Sequence, residues 1–342
     1  MKKIVSSVLI FMAILYLMPI ITVGITEQQQ GNILYFDNLN EEITPSNEEG
    51  SEIEDIIGYD ERTTVTVKIN GNPREMTVRE YLIGVVAAEM PAAFPIEALK
   101  AQVVAARSYM LYKIENNKND SLHADVQLCD DYSHCTAFCD IEAQADSIWG
   151  KDANMYTEKI ITAVESTDGI VAVSDGKVIA AVFHSAAATY TESAVNVWGK
   201  DFSYLVSVPS SGGTASPNYY GLLKISGAEF SKKVKNYYPK ATFGADVSRW
   251  FENIIRNKSG NVNSLKVGGI QMSGSELRKI LGLNSTNFTI EFEDNTIIFN
   301  TVGTGHGVGM SQYGARDMAL NGAFFDEIIC HYYSGVQLMV KN

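Results

Sequence analysis

The chain has 342 residues, 46% of them apolar, and a formal net charge of −13. That length suits one large domain or two smaller ones, and that charge argues against a nucleic-acid partner and against a basic membrane-binding surface. Eleven acidic residues and one basic residue between Glu27 and Arg62 supply −10 of the total, so the remainder is close to neutral.

Residues 1–26 open with Lys2 and Lys3 and continue as an apolar run from Ile4 to Ile25. About 20 apolar residues span a bilayer, and lysines at the leading end stay on the cytoplasmic side. The expectation is a single-pass anchor with the rest of the chain outside the cytoplasm. A cleaved signal peptide is the alternative, disfavoured by the length of the run and the lack of an A-x-A site. Residues 27–62 are acidic, rich in Gln, Asn and Ser, and aperiodic, and they read as a disordered tether. Residues 63–342 read as the folded domain. Thr64 to Ile69 alternates as a strand, Asn70-Gly71 signals a hairpin turn, and a second strand leads into Thr77.

Two helices follow. The first is capped by Thr77 with Glu80 three residues on, and its apolar stripe runs Val78, Leu82, Val85, Val86. Glu89 takes the next place on that stripe, just before Met90-Pro91 ends the helix. Apolar neighbours and the carbonyl-rich helix end both disfavour its charged form, which suits a general acid. A frayed helix end with Glu89 in water is the competing reading. Glu97, in the first turn of the second helix, reads as structural. That helix runs from Ile96 to about Tyr112, and Lys100 and Arg107 share one face of it. Two cations on an apolar surface predict a cleft wall facing an anionic or polyhydroxyl ligand; snorkelling at the core rim is the alternative.

The window His123 to Cys139 holds two of five His and three of four Cys. Four such ligands in a short loop fit tetrahedral zinc. The expected set is His123, Cys129, His134 and Cys135, with Cys139 as the substitute, in an insertion at about 120–145. A disulfide among the cysteines is the alternative in an extracytoplasmic setting. The metal is expected to be structural, with no cofactor for catalysis.

Ile160 to Val182 reads as a strand pair turning at Gly169 and Asp175-Gly176. FHSAAATYTES follows, where adjacent His184 and Ser185 on a strand point to opposite faces and no G-x-S-x-G elbow supports a hydrolase. Trp198 reads as core rather than a stacking platform. An α+β subdomain at about 214–300 carries helix starts at Ser226/Glu229 and Ser273/Glu276. Its strands are Ile254–Arg256, Asn261–Val267 and a pair within Phe288–Phe299. The run Gly303 to Gly314 follows a strand and precedes a helix ending near Asn321. Such a loop exposes backbone N–H groups to a ligand, and His306 and Tyr313 are placed to line a crevice there. A tight turn with His306 bonded in the core is the alternative.

The run YLIGVVAAEMPAAFPIEALKAQVVAARSY strongly resembles the stage II sporulation protein D family of lytic transglycosylases. The likeness continues in FHSAAATYTESAVNVWG, GTGHGVGMSQYGA and HYYSGVQL. Three alanines, 186–188, stand where the family usually has an SGG-like stretch. The overall expectation is an α+β, membrane-anchored, mixed helix/antiparallel-sheet catalytic domain with a central substrate cleft. The resemblance implies cleavage of the bond between N-acetylmuramic acid and N-acetylglucosamine in peptide-stripped peptidoglycan, giving 1,6-anhydro ends. Glu89 would be the acid, and Lys100, Arg107, Tyr190, His306 and Tyr313 the substrate-binding groups, with Glu192 a further sugar-binding candidate. It implies a cell-wall amidase partner and a place between mother cell and forespore during engulfment. A non-catalytic, glycan-binding enhancer of an amidase is the alternative.

Overall fold

The structure, a computed structural model, describes residues 58–116, 123 and 125–341. The expected anchor and the acidic segment up to residue 57 lie outside the described residues. Among the described residues no helix is long and apolar enough to cross a membrane.

The fold is mixed α+β, with two apolar cores. A short helix, α1 (Tyr59–Arg62), precedes the hairpin of β1 (Thr64–Ile69) and β2 (Asn72–Thr77). The strands pair from Thr64↔Thr77 to Ile69↔Asn72, with Asn70 at φ 50° in the turn. Helix α2 (Val78–Glu89) starts as expected: the Thr77 hydroxyl accepts from the Glu80 amide, and the Glu80 carboxylate accepts from the Thr77 amide. It buries Val78, Leu82, Val85 and Val86, the stripe read from the sequence. Helix α3 (Ile96–Asn116) is buried on most of its circumference. Each fully buried Leu or Val there contributes about 1.5–3 kcal/mol.

A loop carrying β3 (Leu128–Cys129) returns parallel to β1. Helices α4 (Ile141–Trp149) and α5 (Ala153–Glu165) follow. The expected strand pair is therefore shorter than Ile160 to Val182. Ile160, Ala163 and Val164 are buried on α5 at helical spacing, and the strands are β4 (Ile170–Ser174) and β5 (Lys177–Val178). Around α3 pack α5, β4 and two late helices, α9 (Gln312–Leu320) and α10 (Phe325–Tyr332). The terminal strand β14 (Gln337–Val340) pairs antiparallel with β4. A two-residue parallel pair, β6 (Phe183–His184) with β13 (Met310–Ser311), joins the two motif regions, and α6 (Ala194–Trp198) follows β6.

The inserted subdomain has its own core around Phe230, Leu265, Leu277, Phe288 and Phe299. Strands β7 (Tyr220–Ser226), β12 (Thr296–Val302) and β11 (Phe288–Glu293) form one antiparallel sheet. A second has β8 (Phe251–Arg256), β9 (Val262–Val267) and β10 (Ile270–Ser273). Helices α7 (Gly227–Tyr237) and α8 (Gly274–Leu281) begin at the expected caps, Ser226 and Ser273.

Candidate active site

Glu89 ends α2 half-buried, with one carboxylate oxygen accepting the Ala137 amide at 2.8 Å. Burial raises its pKa above the ordinary carboxylate value, and the single amide bond only partly opposes that. Its carbonyl accepts the Gln312 side-chain amide at 2.9 Å, and Gln312 also donates to Gln102 of α3 at 3.3 Å. The glycine-rich motif is thus fastened to the acid. Tyr313, the next residue, packs edge-on against Phe94 in the turn after Glu89, with ring centroids 5.0 Å apart, and donates its amide to the Ser185 carbonyl. The Arg316 guanidinium also lies over the Phe94 ring, 5.7 Å from its centre.

Arg107 does not face a ligand. It is fully buried, its guanidinium forked onto both oxygens of Asp60 and donating to the Ile170 carbonyl. Asp60 belongs to α1 and is itself 2% exposed, so residues 59–62 are part of the fold rather than of a tether. The sequence reading of Arg107 as part of a cleft wall therefore does not hold; periodicity could not show a partner 47 residues away. Lys100 bonds Glu97 at 2.8 Å and lies 6.0 Å from the Phe325 ring centre. Glu97 also accepts the Phe325 amide, which is the structural role expected of it.

The loop behind Glu89 holds the Cys/His cluster. The ligand atoms of His123, Cys129, His134 and Cys135 all lie within 4.8 Å of one another. Cys129 Sγ is 3.5 Å from His134 Nδ1, and Cys135 Sγ is 3.5 Å from His123 Nε2. The edge of a tetrahedron built on zinc bonds is roughly 3.3–3.8 Å, which the short separations match, and two Cys with two His is a donor set that suits that ion. All three cysteines are free thiols, and Cys139 stands apart, its sulfur against Gln144. The same loop is pinned along α2: Tyr81 bonds Thr136, Cys139 donates its amide to Gly84, and Ala137 reaches Glu89. Gly84 is needed for this close approach, since a Cβ there would lie 2.3 Å from the Phe138 ring. Glycine inside a helix costs about 1 kcal/mol, and here the space it leaves seats the loop.

A second polar group lies across β6 and β13. His184 is 4% exposed, donates from Nδ1 to the Val308 carbonyl at 3.1 Å, and is driven by burial to a pKa of about 3. His306 is held at about 4 by burial and by Arg278, and its ring lies 5.7 Å from that of His184 and 5.3 Å from that of Trp198. Trp198 is 46% exposed, so it is not core. Tyr190 is half-buried, with Lys258 5.5 Å from its ring centre. The glycine run packs more than it displays. Gly303, Thr304, Gly305 and Met310 spend their amides on carbonyls of Tyr219, Ala186, Asn284 and Val182. At Gly309, φ is 70° and a Cβ would sit 2.0 Å from the Val182 carbonyl oxygen. Those four amides are therefore not available to a ligand.

Glu192, a sugar-binding candidate from the sequence, is 1% exposed and turned inward. One oxygen accepts from the Ser193 amide and Asn196; the other accepts from Asn257, Ser259 and Asn261. Burial alone would raise its pKa, but the bonds from Ser259, Asn196, Asn257 and Ser193 outweigh it and the pKa is lowered. Its role is to fasten the inserted subdomain to the body. Gln102, Gln312, Asp60 and Ala137 carried no sequence signal of their own, since each acts through a partner distant in the chain.

These features define a mixed α+β protein with a partly desolvated acid tied to a glycine-rich motif from the far end of the chain. A family model described as Stage II sporulation protein (SpoIID) matches residues 70–173. The chain is 35% identical over 275 residues to stage II sporulation protein D of Bacillus subtilis, covering 79% of this chain and 76% of that one. It is 34% identical over 274 residues to the protein of that name from Bacillus amyloliquefaciens, covering 79% and 76%. A more distant relative, named amidase enhancer in Bacillus subtilis, is 27% identical over 308 residues, 75% of this chain and 40% of that one. The chain belongs to the stage II sporulation protein D family, which is involved in sporulation.

Proposed function

We propose that this chain is a lytic transglycosylase that cleaves peptidoglycan glycan strands between N-acetylmuramic acid and N-acetylglucosamine. The observation that carries the reading is Glu89, a carboxyl group whose pKa is raised by burial and which accepts one hydrogen bond. In its neutral form it gives its proton to the glycosidic oxygen. The carboxylate left behind takes the proton of the C6 hydroxyl of the same muramic acid, whose oxygen closes on C1 as a 1,6-anhydro ring. The nucleophile belongs to the substrate, so no second carboxylate is needed to activate water, unlike in two-carboxylate glycosidases. Glu192, the other buried glutamate of the motifs, is fully engaged by its five donors and unsuited to that task. Tyr313, Tyr190, His306 and Lys100 position the strand; Arg107 holds the scaffold through Asp60.

In this reading His123, Cys129, His134 and Cys135 hold a structural zinc ion that keeps the Ala137 amide on Glu89. The substrate is glycan freed of stem peptides by a partner amidase. Residues 1–26 anchor the chain with its folded part outside the cytoplasm, between mother cell and forespore. Mass spectrometry of digests of peptide-free strands tests the reaction. Anhydro ends are expected; reducing ends, heavier by one water, would replace it with a water-using muramidase. A non-catalytic amidase enhancer is the second reading, favoured by the relative of that name, and intact strands in the same digest would support it.

A further inference from the structure

The main chain of Glu89 is held as closely as its side chain, and by a different segment. Glu89 is the last residue of α2, so its carbonyl is one of the four at a helix C-terminus that find no partner inside the helix. It accepts from Gln312 Nε2 at 2.9 Å, and the same nitrogen donates to Gln102 Oε1 at 3.3 Å. The orientation of both amides follows from chemistry. A main-chain carbonyl only accepts, so Gln312 must present its NH2, and Gln102 must then present its oxygen. Gln102 is fully buried and Gln312 is 6% exposed, so these bonds are made away from bulk water. Gln312 is also the first residue of α9, whose cap, Ser311, accepts the Gly314 amide. The amide-rich start of α9 therefore meets the carbonyl-rich end of α2.

The carbonyls at a helix C-terminus together carry about half a negative charge. That charge makes a carboxyl group beside them hold its proton, and a donor on the last carbonyl offsets part of it. We infer that Gln312 is a positioning residue for the acid: it fastens the end of α2 and, by capping the Glu89 carbonyl, keeps the carboxyl group of that residue from holding its proton too tightly to give it away.

The charged groups on the surrounding elements are engaged elsewhere. On α2, Arg79 pairs with Glu165 and Glu80 accepts the Thr77 amide. On α3, Lys100 pairs with Glu97 and Arg107 with Asp60. Lys159 of α5 donates to the Ala92 and Phe94 carbonyls. On α9, Arg316 lies over the Phe94 ring and Asp317 accepts from Ser211. On the loop, Asp140 pairs with Arg74, and the thiols and imidazoles of the cluster gather on one another. Burial and the Ala137 amide, not a neighbouring formal charge, move the Glu89 pKa.

The consequence for turnover rests on the reading of Glu89 as the acid, but its proton affinity is measured without substrate. The test is a carbon-13 NMR titration of the whole chain labelled at its glutamate carboxyl carbons, with the Glu89 signal identified by its loss in Glu89→Gln. Gln312→Met and Gln312→Asn both remove the donor, the first by chemistry and the second by reach. Each is checked for an unchanged circular dichroism spectrum and matched metal content. Either one should raise the Glu89 midpoint by about 0.5 pH unit. If Gln312 merely held the structure, its loss would admit water and the midpoint would fall toward the ordinary carboxylate value; a fall, or no change, would overturn the inference. On peptide-free strands the alkaline limb of kcat/KM should move up by the same amount. A raised midpoint in a chain that does not cleave strands upholds the role of Gln312 and removes the lytic reading; cleavage with an unmoved midpoint does the reverse.

Discussion

Glu89 and Glu192 are both carboxylates drawn out of bulk water, and the fold treats them in opposite ways. Glu89 sits at the carbonyl end of a helix with one amide for company. Glu192 sits at the start of α6 among five donors taken from two segments. Burial pushes both toward the neutral acid, and the count of donors decides which one gives way. An under-bonded acid is poised to release a proton to something else. An over-bonded one is spent on holding the structure together.

The widest separation between the two should come from Glu89→Gln. Loss of general-acid catalysis should lower turnover on peptide-free strands by about 10²–10⁴-fold, with circular dichroism unchanged. Near-normal turnover would erase the distinction drawn here. Glu192→Ala leaves buried donors without their anion and should lower folding stability by about 3–5 kcal/mol, read by denaturant unfolding. A change below about 1 kcal/mol would mean that the subdomain is held by its apolar contacts instead.

Acid titration sharpens the contrast through its sign. The folded pKa of Glu192 is lowered, so its stabilisation is present above the unfolded value of about 4.3 and is lost as pH falls through the folded one. Glu89 has a raised folded pKa, so its contribution is full below about 4.3 and is lost as pH rises through the folded value. Thermal melts should therefore show Glu89→Gln more stable than the parent at neutral pH and equal to it in acid. Glu192→Gln should be the less stable at neutral pH, its deficit shrinking in acid. The smallest effect expected is Thr77→Ala, which removes the cap of the helix carrying Glu89 and should cost about 1 kcal/mol in a denaturant melt.

Much of the fold was legible locally. The Thr77–Glu80 box, the Asn70-Gly71 turn, both helix starts of the inserted subdomain and the end of α9 near Asn321 formed where the sequence put them. Each depends on residues within a turn or two of one another. The four cluster ligands are close in sequence, and the structure brings together the set chosen from five candidates. The readings of Arg107, Trp198 and Glu192 failed for one shared reason. A side chain's surroundings there are set by segments tens of residues away.

The helices, hairpins, caps and the apolar stripe on which Glu89 falls follow from residue order alone, because hydrogen bonding and side-chain periodicity are properties of neighbouring residues. Which charge is spent and which is left able to act was settled by the packing of distant segments. It brought Asp60 to Arg107, the subdomain's amides to Glu192, and a single backbone amide to Glu89. Desolvation and hydrogen-bond supply depend on what packs alongside, and chain distance carries no record of that.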